Sequence, residues 1–188
     1  MPYLQNASTF LVGALFSFAL YVVLLRFWMQ WVRADFRNEI GQFIISVTNP
    51  LVLPLRRLLP SIGVIDTATV VLALIVSLLK YCVLLLIVGA IGQYSIPKLL
   101  SLGIAGTVEA TIYLFIGAIF IGIIASWISP NSYNPVLNVA RSISEPLLAP
   151  VRNLIPAFGG LDFSPIVVLL FLQFSLRLIV APLYGLAL

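Results

Sequence analysis

The sequence predicts an all-α integral membrane fold, with four transmembrane helices arranged as two parallel helix–amphipathic elbow–helix repeats. Three observations predict it: an apolar composition, four apolar stretches long enough to span a bilayer, and a pattern that recurs without a gap. Of the 188 residues, 62% are hydrophobic and only 9% are charged. A soluble domain averages about 45–50% apolar and about 25% charged. So few charges cannot clothe a small soluble protein, whereas lipid as the outer solvent permits an apolar exterior.

A membrane helix needs about 20 mostly apolar residues. The first candidate covers residues 8–31, with no charge before Arg26 and no basic residue ahead of it. It is too long for a signal peptide and lacks the basic start of one, so it reads as a retained first helix. The second covers 66–91 and is interrupted only by Lys80. The third covers 99–127, interrupted only by Glu109, and the fourth covers 162–184, interrupted only by Arg177. A short polar link at 92–98 makes the second and third antiparallel neighbours.

A shift of 96 residues places Trp31 on Trp127, Pro50 on Pro146, Pro54 on Pro150 and Arg56 on Arg152. It also places Pro60 on Pro156, Gly63 on Gly159 and Asp66 on Asp162. Chance rarely brings so many such residues into register, so the chain reads as an internal repeat over roughly 8–91 and 99–187 within a single membrane domain of 1–188. Each unit has two membrane helices, an even number. Both copies therefore enter from the same side, which makes the repeat parallel.

Each long loop holds an amphipathic pattern. Phe36, Ile40, Phe43, Ile44 and Val47 recur at helical spacing, opposite Arg37, Asn38, Glu39, Gln42 and Ser46. The second copy is Tyr133, Val136, Leu137, Ala140 and Ile143. Such helices lie in the membrane interface. Pro50 and Pro146 are expected to end them. Short interfacial turns then follow at 50–60 and 146–156. Asp66 and Asp162 are expected to cap the second and fourth membrane helices, where a carboxylate meets unpaired N–H groups.

Arg33, Arg37, Arg56, Arg57, Arg141 and Arg152 lie in the long loops, and only Lys98 lies on the opposite side. The positive-inside rule puts the loops in the cytoplasm and both termini outside. Trp28, Trp31 and Trp127 fit an aromatic belt on the cytoplasmic side. The net charge of +4 is spent on topology and lipid contact, so no nucleic-acid partner is predicted.

Lys80, Glu109 and Arg177 form a candidate intramembrane polar cluster. Ionisable groups inside a membrane helix are costly and mark functional sites by default. Lys80 lies 14 residues beyond Asp66, about 21 Å along a helix, and Arg177 lies 15 beyond Asp162 at nearly the same depth. Glu109 descends about 15 Å from the outer side, within reach of either. The trio either lines an ion path, or consists of snorkelling bases with a structural ion pair. Arg56, Arg57 and Arg152 form a candidate elbow that contacts anionic lipid or a partner, or else act as helix-end caps. Asp66 and Asp162 read as helix caps rather than ion ligands.

The chain has no His and a single Cys, Cys82, set in an apolar run. That excludes a His-based triad, a His or multi-Cys metal site and an internal disulfide. No metal, cofactor or catalytic residue is predicted.

The stretch at 49–66 (Asn-Pro-Leu-Val-Leu-Pro-Leu-Arg-Arg-Leu-Leu-Pro-Ser-Ile-Gly-Val-Ile-Asp) and its second form at 145–162 resemble the YggT family of bacterial membrane proteins. So does the run Leu25-Arg26-Phe27-Trp28-Met29-Gln30-Trp31. The second copy carries Asn153 in place of Arg57. The resemblance implies a non-enzymatic, multi-pass protein of the bacterial inner membrane. It also implies links to osmotic tolerance, ion homeostasis, cytochrome assembly or nucleoid and division organisation, and it identifies no catalytic residues. Two functions follow as expectations. One is a membrane scaffold or assembly factor whose elbows bind lipid or a partner. The alternative is an ion- or osmolyte-permeating protein, which would have to be a homo-oligomer because four helices alone make a poor pore. An enzyme acting on lipid has the least support.

Overall fold

A computed structural model describes residues 2–128, 134–155 and 162–187. Helix α1 (Pro2–Trp31) is followed by α2 (Glu39–Leu58) and α3 (Thr67–Ile87). A 3₁₀ turn at Ile91–Gln93 leads into α4 (Ile96–Ile128), then α5 (Pro135–Leu154) and α6 (Ser164–Ser175). A π turn, Leu176–Val180, joins α6 to α7 (Ala181–Gly185). The described residues include no strand. Among the described residues, four helical spans are long and apolar enough to cross a bilayer: Tyr3–Trp31, Thr67–Ile87, Ile96–Trp127 and Ser164–Gly185. Of the expected elbow residues, Tyr133, Pro156 and Gly159 lie outside the described residues.

The helix ends follow from local chemistry. α1 closes through Arg33, which takes a left-handed φ of 55°. The Ala34 N–H reaches the Met29 carbonyl at 2.8 Å and the Arg33 N–H reaches that of Gln30 at 3.2 Å, a Schellman end. α3 ends the same way on Gly89, φ 74°, where the conformation is free of Cβ strain. Both elbow helices begin on an asparagine. The Asn38 side chain accepts from the Gly41 N–H at 2.8 Å, and that of Asn134 accepts from Val136 at 2.9 Å.

The expected elbow geometry is corrected here. Pro50 and Pro146 do not end the elbow helices: α2 runs to Leu58 through Pro50 and Pro54, and α5 runs to Leu154 through Pro146 and Pro150. In place of separate short turns, each elbow is one 20-residue helix. The reason is geometric. Prolines four apart share one face, and all four are exposed. The carbonyls they strip of a partner lie on that same outer side, where water or headgroups can bond them. The fourth membrane helix carries a π turn in its interior. The Ala181 N–H bonds the Leu176 carbonyl five residues back. Pro182 follows at once and cannot donate to Leu178, so the wider turn seats the ring.

α4 is the hub and packs against α1, α3, α5, α6 and α7. Met29, Ile44, Ile119, Ile143, Leu148 and Leu172 form one core around it. Leu20, Val23, Val52, Ala68, Leu72 and Ala73 form the other, between α1, α2 and α3. Gly103 and Gly106 let α3 come close to α4. A Cβ on Gly106 would sit 2.6 Å from Tyr81 Cε2 and 2.7 Å from Ser77 Oγ.

Candidate functional site

The elbows carry the first group of predicted residues. α2 ends in Arg56 and Arg57, and the turn through Gly63 brings the chain back so that Asp66 opens α3 beside Arg56. Arg56 Nη2 donates to Asp66 Oδ2, and Thr69 Oγ1 donates to the same oxygen at 2.7 Å. Asp66 sits at the N-cap of α3, where its carbonyl accepts from the Thr69 and Val70 N–H groups. Its side chain makes no capping bond to the backbone. The side chain of Asp66 is 0% exposed and that of Arg56 37%. Arg57 is exposed.

Sequence reasoning missed a third member of this site. Arg26, on the last turns of α1, is only 6% exposed. Its Nη1 donates to Thr48 Oγ1 at 2.6 Å and to Asn49 Oδ1 at 2.9 Å. Thr48 passes the chain on by donating to the Ile44 carbonyl. Burial pushes the Asp66 carboxyl up. The hydrogen bonds from Arg56 and Thr69 and the charges of Arg56 and Arg26 outweigh that, and hold it below the usual carboxylate range. The first elbow thus holds two hydrogen-bonded groups, Arg26 with Thr48 and Asn49 between α1 and α2, and Asp66 with Arg56 and Thr69 between α2 and α3.

The second elbow repeats the pairing in a wetter setting. Arg152 Nε donates to Asp162 Oδ2 at 3.0 Å, and its Nη1 donates to Glu145 Oε1 at 2.7 Å. The Arg152 side chain is 43% exposed, Asp162 38% and Glu145 52%. Asp162 Oδ1 accepts from the Ser164 N–H at 2.9 Å and its hydroxyl at 2.6 Å, at the start of α6. Desolvation raises the Asp162 carboxyl, but the bonds from Ser164 and then Arg152 hold it low. The residue 96 positions beyond Arg26 is Gly122. Gly122, Ser126, Arg141, Glu145, Arg152 and Asp162 help line a cavity of about 700 Å³ between α4, α5 and α6.

Inside the bundle the predicted trio does not assemble as three charges. Lys80 Nζ donates to Ser17 Oγ on α1 at 2.9 Å. Glu109 accepts from the Tyr184 hydroxyl at 2.5 Å, and that hydroxyl lies 2.5 Å from the Tyr81 hydroxyl. A hydroxyl has one hydrogen, so Tyr81 donates to Tyr184, which donates to Glu109. Glu109 forms no ion pair with Lys80 among the described residues. Arg177 stays outside this group and is exposed. In the 96-residue register it matches Tyr81 rather than Lys80, a one-residue offset that rotates it by about 100°. The tyrosines escaped sequence reasoning because they look like ordinary membrane aromatics, and Arg26 because its place in the second copy is glycine.

A family model described as CCB3/YggT matches the chain twice, over residues 5–87 and 101–183. The two matches stand in the same 96-residue register. The chain belongs to the CCB3/YggT family. It is 40% identical over 171 residues to an uncharacterised protein encoded 3′ of proC in Vibrio alginolyticus, covering 91% of this chain and 92% of that one. It is 41% identical to an uncharacterised protein of Pseudomonas aeruginosa, covering 90% and 86%. It is 38% identical to the uncharacterised protein YggT of Escherichia coli K12, covering 89% and 86%. No solved structure matches the chain.

Proposed function

We propose that this family member is a non-enzymatic scaffold or assembly factor of the bacterial inner membrane, whose elbows bind lipid or a protein partner from the cytoplasmic side. The observation that carries this reading is the split apolar face of α2. Ile44, Thr48 and Val52 are buried against the bundle, while Phe43, Val47 and Leu51, four residues apart, are 47–55% exposed beside them. A polar stripe of Glu39, Gln42, Ser46 and Arg57 completes the circumference. A helix with one apolar flank inside and another outside suits the acyl–headgroup boundary. The Arg56–Asp66 pair holds it at a fixed angle to α3. The excess of arginine in the elbows supports their cytoplasmic placement and both termini outside. The recurrence of the same element order in α4, α5 and α6 supports a parallel two-unit design that presents a pair of docking surfaces. Arg56 and Arg152 already hold carboxylates, so any anionic headgroup must compete with Asp66 or with Asp162 and Glu145.

The chain Tyr81–Tyr184–Glu109, with Lys80 nearby and a π turn in the same helix, favours a second reading, an oligomeric ion or osmolyte path. Ion flux in proteoliposomes separates the two, with potassium and sodium tested with and without an osmotic gradient. The scaffold reading expects no flux above empty liposomes from correctly inserted protein. Flux that Glu109→Gln and Lys80→Met abolish would overturn it in favour of the second. The topology is checked by cysteine labelling: Ser46→Cys is expected to label only from the cytoplasmic side.

A further inference from the structure

Among the positions where the two elbows differ, two form a matched pair. Where α1 carries Arg26, α4 carries Gly122, and where α2 carries Asn49, α5 carries Glu145. At that pair one cation is removed and one anion is added beside three corresponding positions: Thr48 and Ser144, Arg56 and Arg152, Asp66 and Asp162. In the first elbow a guanidinium bonds Thr48 and Asn49. In the second elbow, the residues in register with those two line the cavity of about 700 Å³. Arg141, in register with Ile45, lines it as well and makes no ion pair among the described residues. The cavity's charged groups are therefore two carboxylates and two guanidiniums. Its apolar wall, Ile119, Ile123 and Ile166, belongs to two membrane-spanning helices.

We propose that this cavity is a binding site for a zwitterionic phospholipid whose headgroup carries a primary ammonium. The ammonium takes the place that the Arg26 guanidinium holds in the first elbow, donating to Glu145 and the Ser144 hydroxyl. The phosphate meets Arg141, and the acyl chains descend along α4 and α6. A primary ammonium offers three N–H donors to carboxylates. A choline group offers none, and a glycerol headgroup brings no cation to offset Glu145. The wall of membrane-helix isoleucines favours a lipid over an arginine of a partner protein. The site rests on the reading of the elbows as lipid-contacting, and headgroup selectivity tests it separately from ion flux.

The test uses native mass spectrometry of the full chain released from nanodiscs of equal parts phosphatidylethanolamine, phosphatidylcholine and phosphatidylglycerol. Wild type is expected to retain the ethanolamine lipid about tenfold over the choline lipid, the ratio set by one charge-assisted hydrogen bond. Glu145→Asn, which installs the first elbow's side chain, is expected to erase that preference, as is Gly122→Arg. Should Gly122→Arg fail to fold, judged by its unfolding midpoint, Glu145→Asn decides alone. Equal retention of the two lipids by wild type, or an undiminished preference in Glu145→Asn, would overturn the site. So would capture of a protein chain, rather than lipid, by a photo-crosslinking residue in place of Ser126.

Discussion

Arg56 and Arg152 stand 96 residues apart, and each reaches an aspartate ten residues further on. Around the first pair, α1 sends in Arg26 and the aspartate is sealed from solvent. Around the second, α4 offers a glycine, a glutamate joins, and the aspartate stays more than a third exposed. The contrast teaches that a recurring motif does not carry a recurring energy. A buried carboxylate flanked by two guanidiniums is a structural commitment, because removing it strands charge in a low dielectric. The same pair in water is worth little by itself and leaves its residues available to a ligand.

Removing the carboxylate from the first elbow should have the largest effect. Asp66→Asn leaves Arg56 without its anion and is expected to cost on the order of 2–4 kcal/mol, discounted from the cost of breaking a fully buried pair because Arg56 is partly exposed. Unfolding in mixed micelles with increasing SDS would measure it. The pH dependence has a definite sign. Asp66 is held below its unfolded value, so its stabilisation is present above about pH 4 and disappears as pH falls through the lower folded value. Wild type should lose stability in that acid window, and Asp66→Asn should lose less.

Gly106→Ala comes next. It drives a methyl group into Tyr81 and Ser77, an overpacking worth about 1–3 kcal/mol, and should raise the tyrosine fluorescence response to quenchers as Tyr81 is displaced. Tyr184→Phe removes the hydroxyl between Tyr81 and Glu109 and is expected to cost about 1–2 kcal/mol in the same unfolding experiment. Asp162→Asn should have the smallest effect, below about 1 kcal/mol, since its pair with Arg152 is solvated. A loss as large as that of Asp66→Asn would erase the distinction between the elbows.

The membrane helices are readable from the sequence because an apolar run of bilayer length, almost free of charge, has few other outcomes. The elbow pairs were half readable. The register put an arginine and an aspartate in both copies, but it could not say that Asp66 serves the arginine rather than its own helix end. Register also hid Arg26, since a search for shared residues passes over the position where the copies differ. Pro50 and Pro146 read as helix ends because an interior proline leaves a carbonyl without its helical partner. On an exposed face the freed carbonyls find other partners. The tyrosine chain joins α3, α4 and α7, three elements that only tertiary packing brings together, and nothing in the apolar pattern announces it.

A double-mutant cycle on each elbow tests the central claim most directly. Arg56→Met with Asp66→Asn, and Arg152→Met with Asp162→Asn, would be compared by the same unfolding titration. The account predicts a coupling above about 1 kcal/mol in the first elbow and a few tenths in the second. Equal couplings, or a larger one in the second, would contradict it.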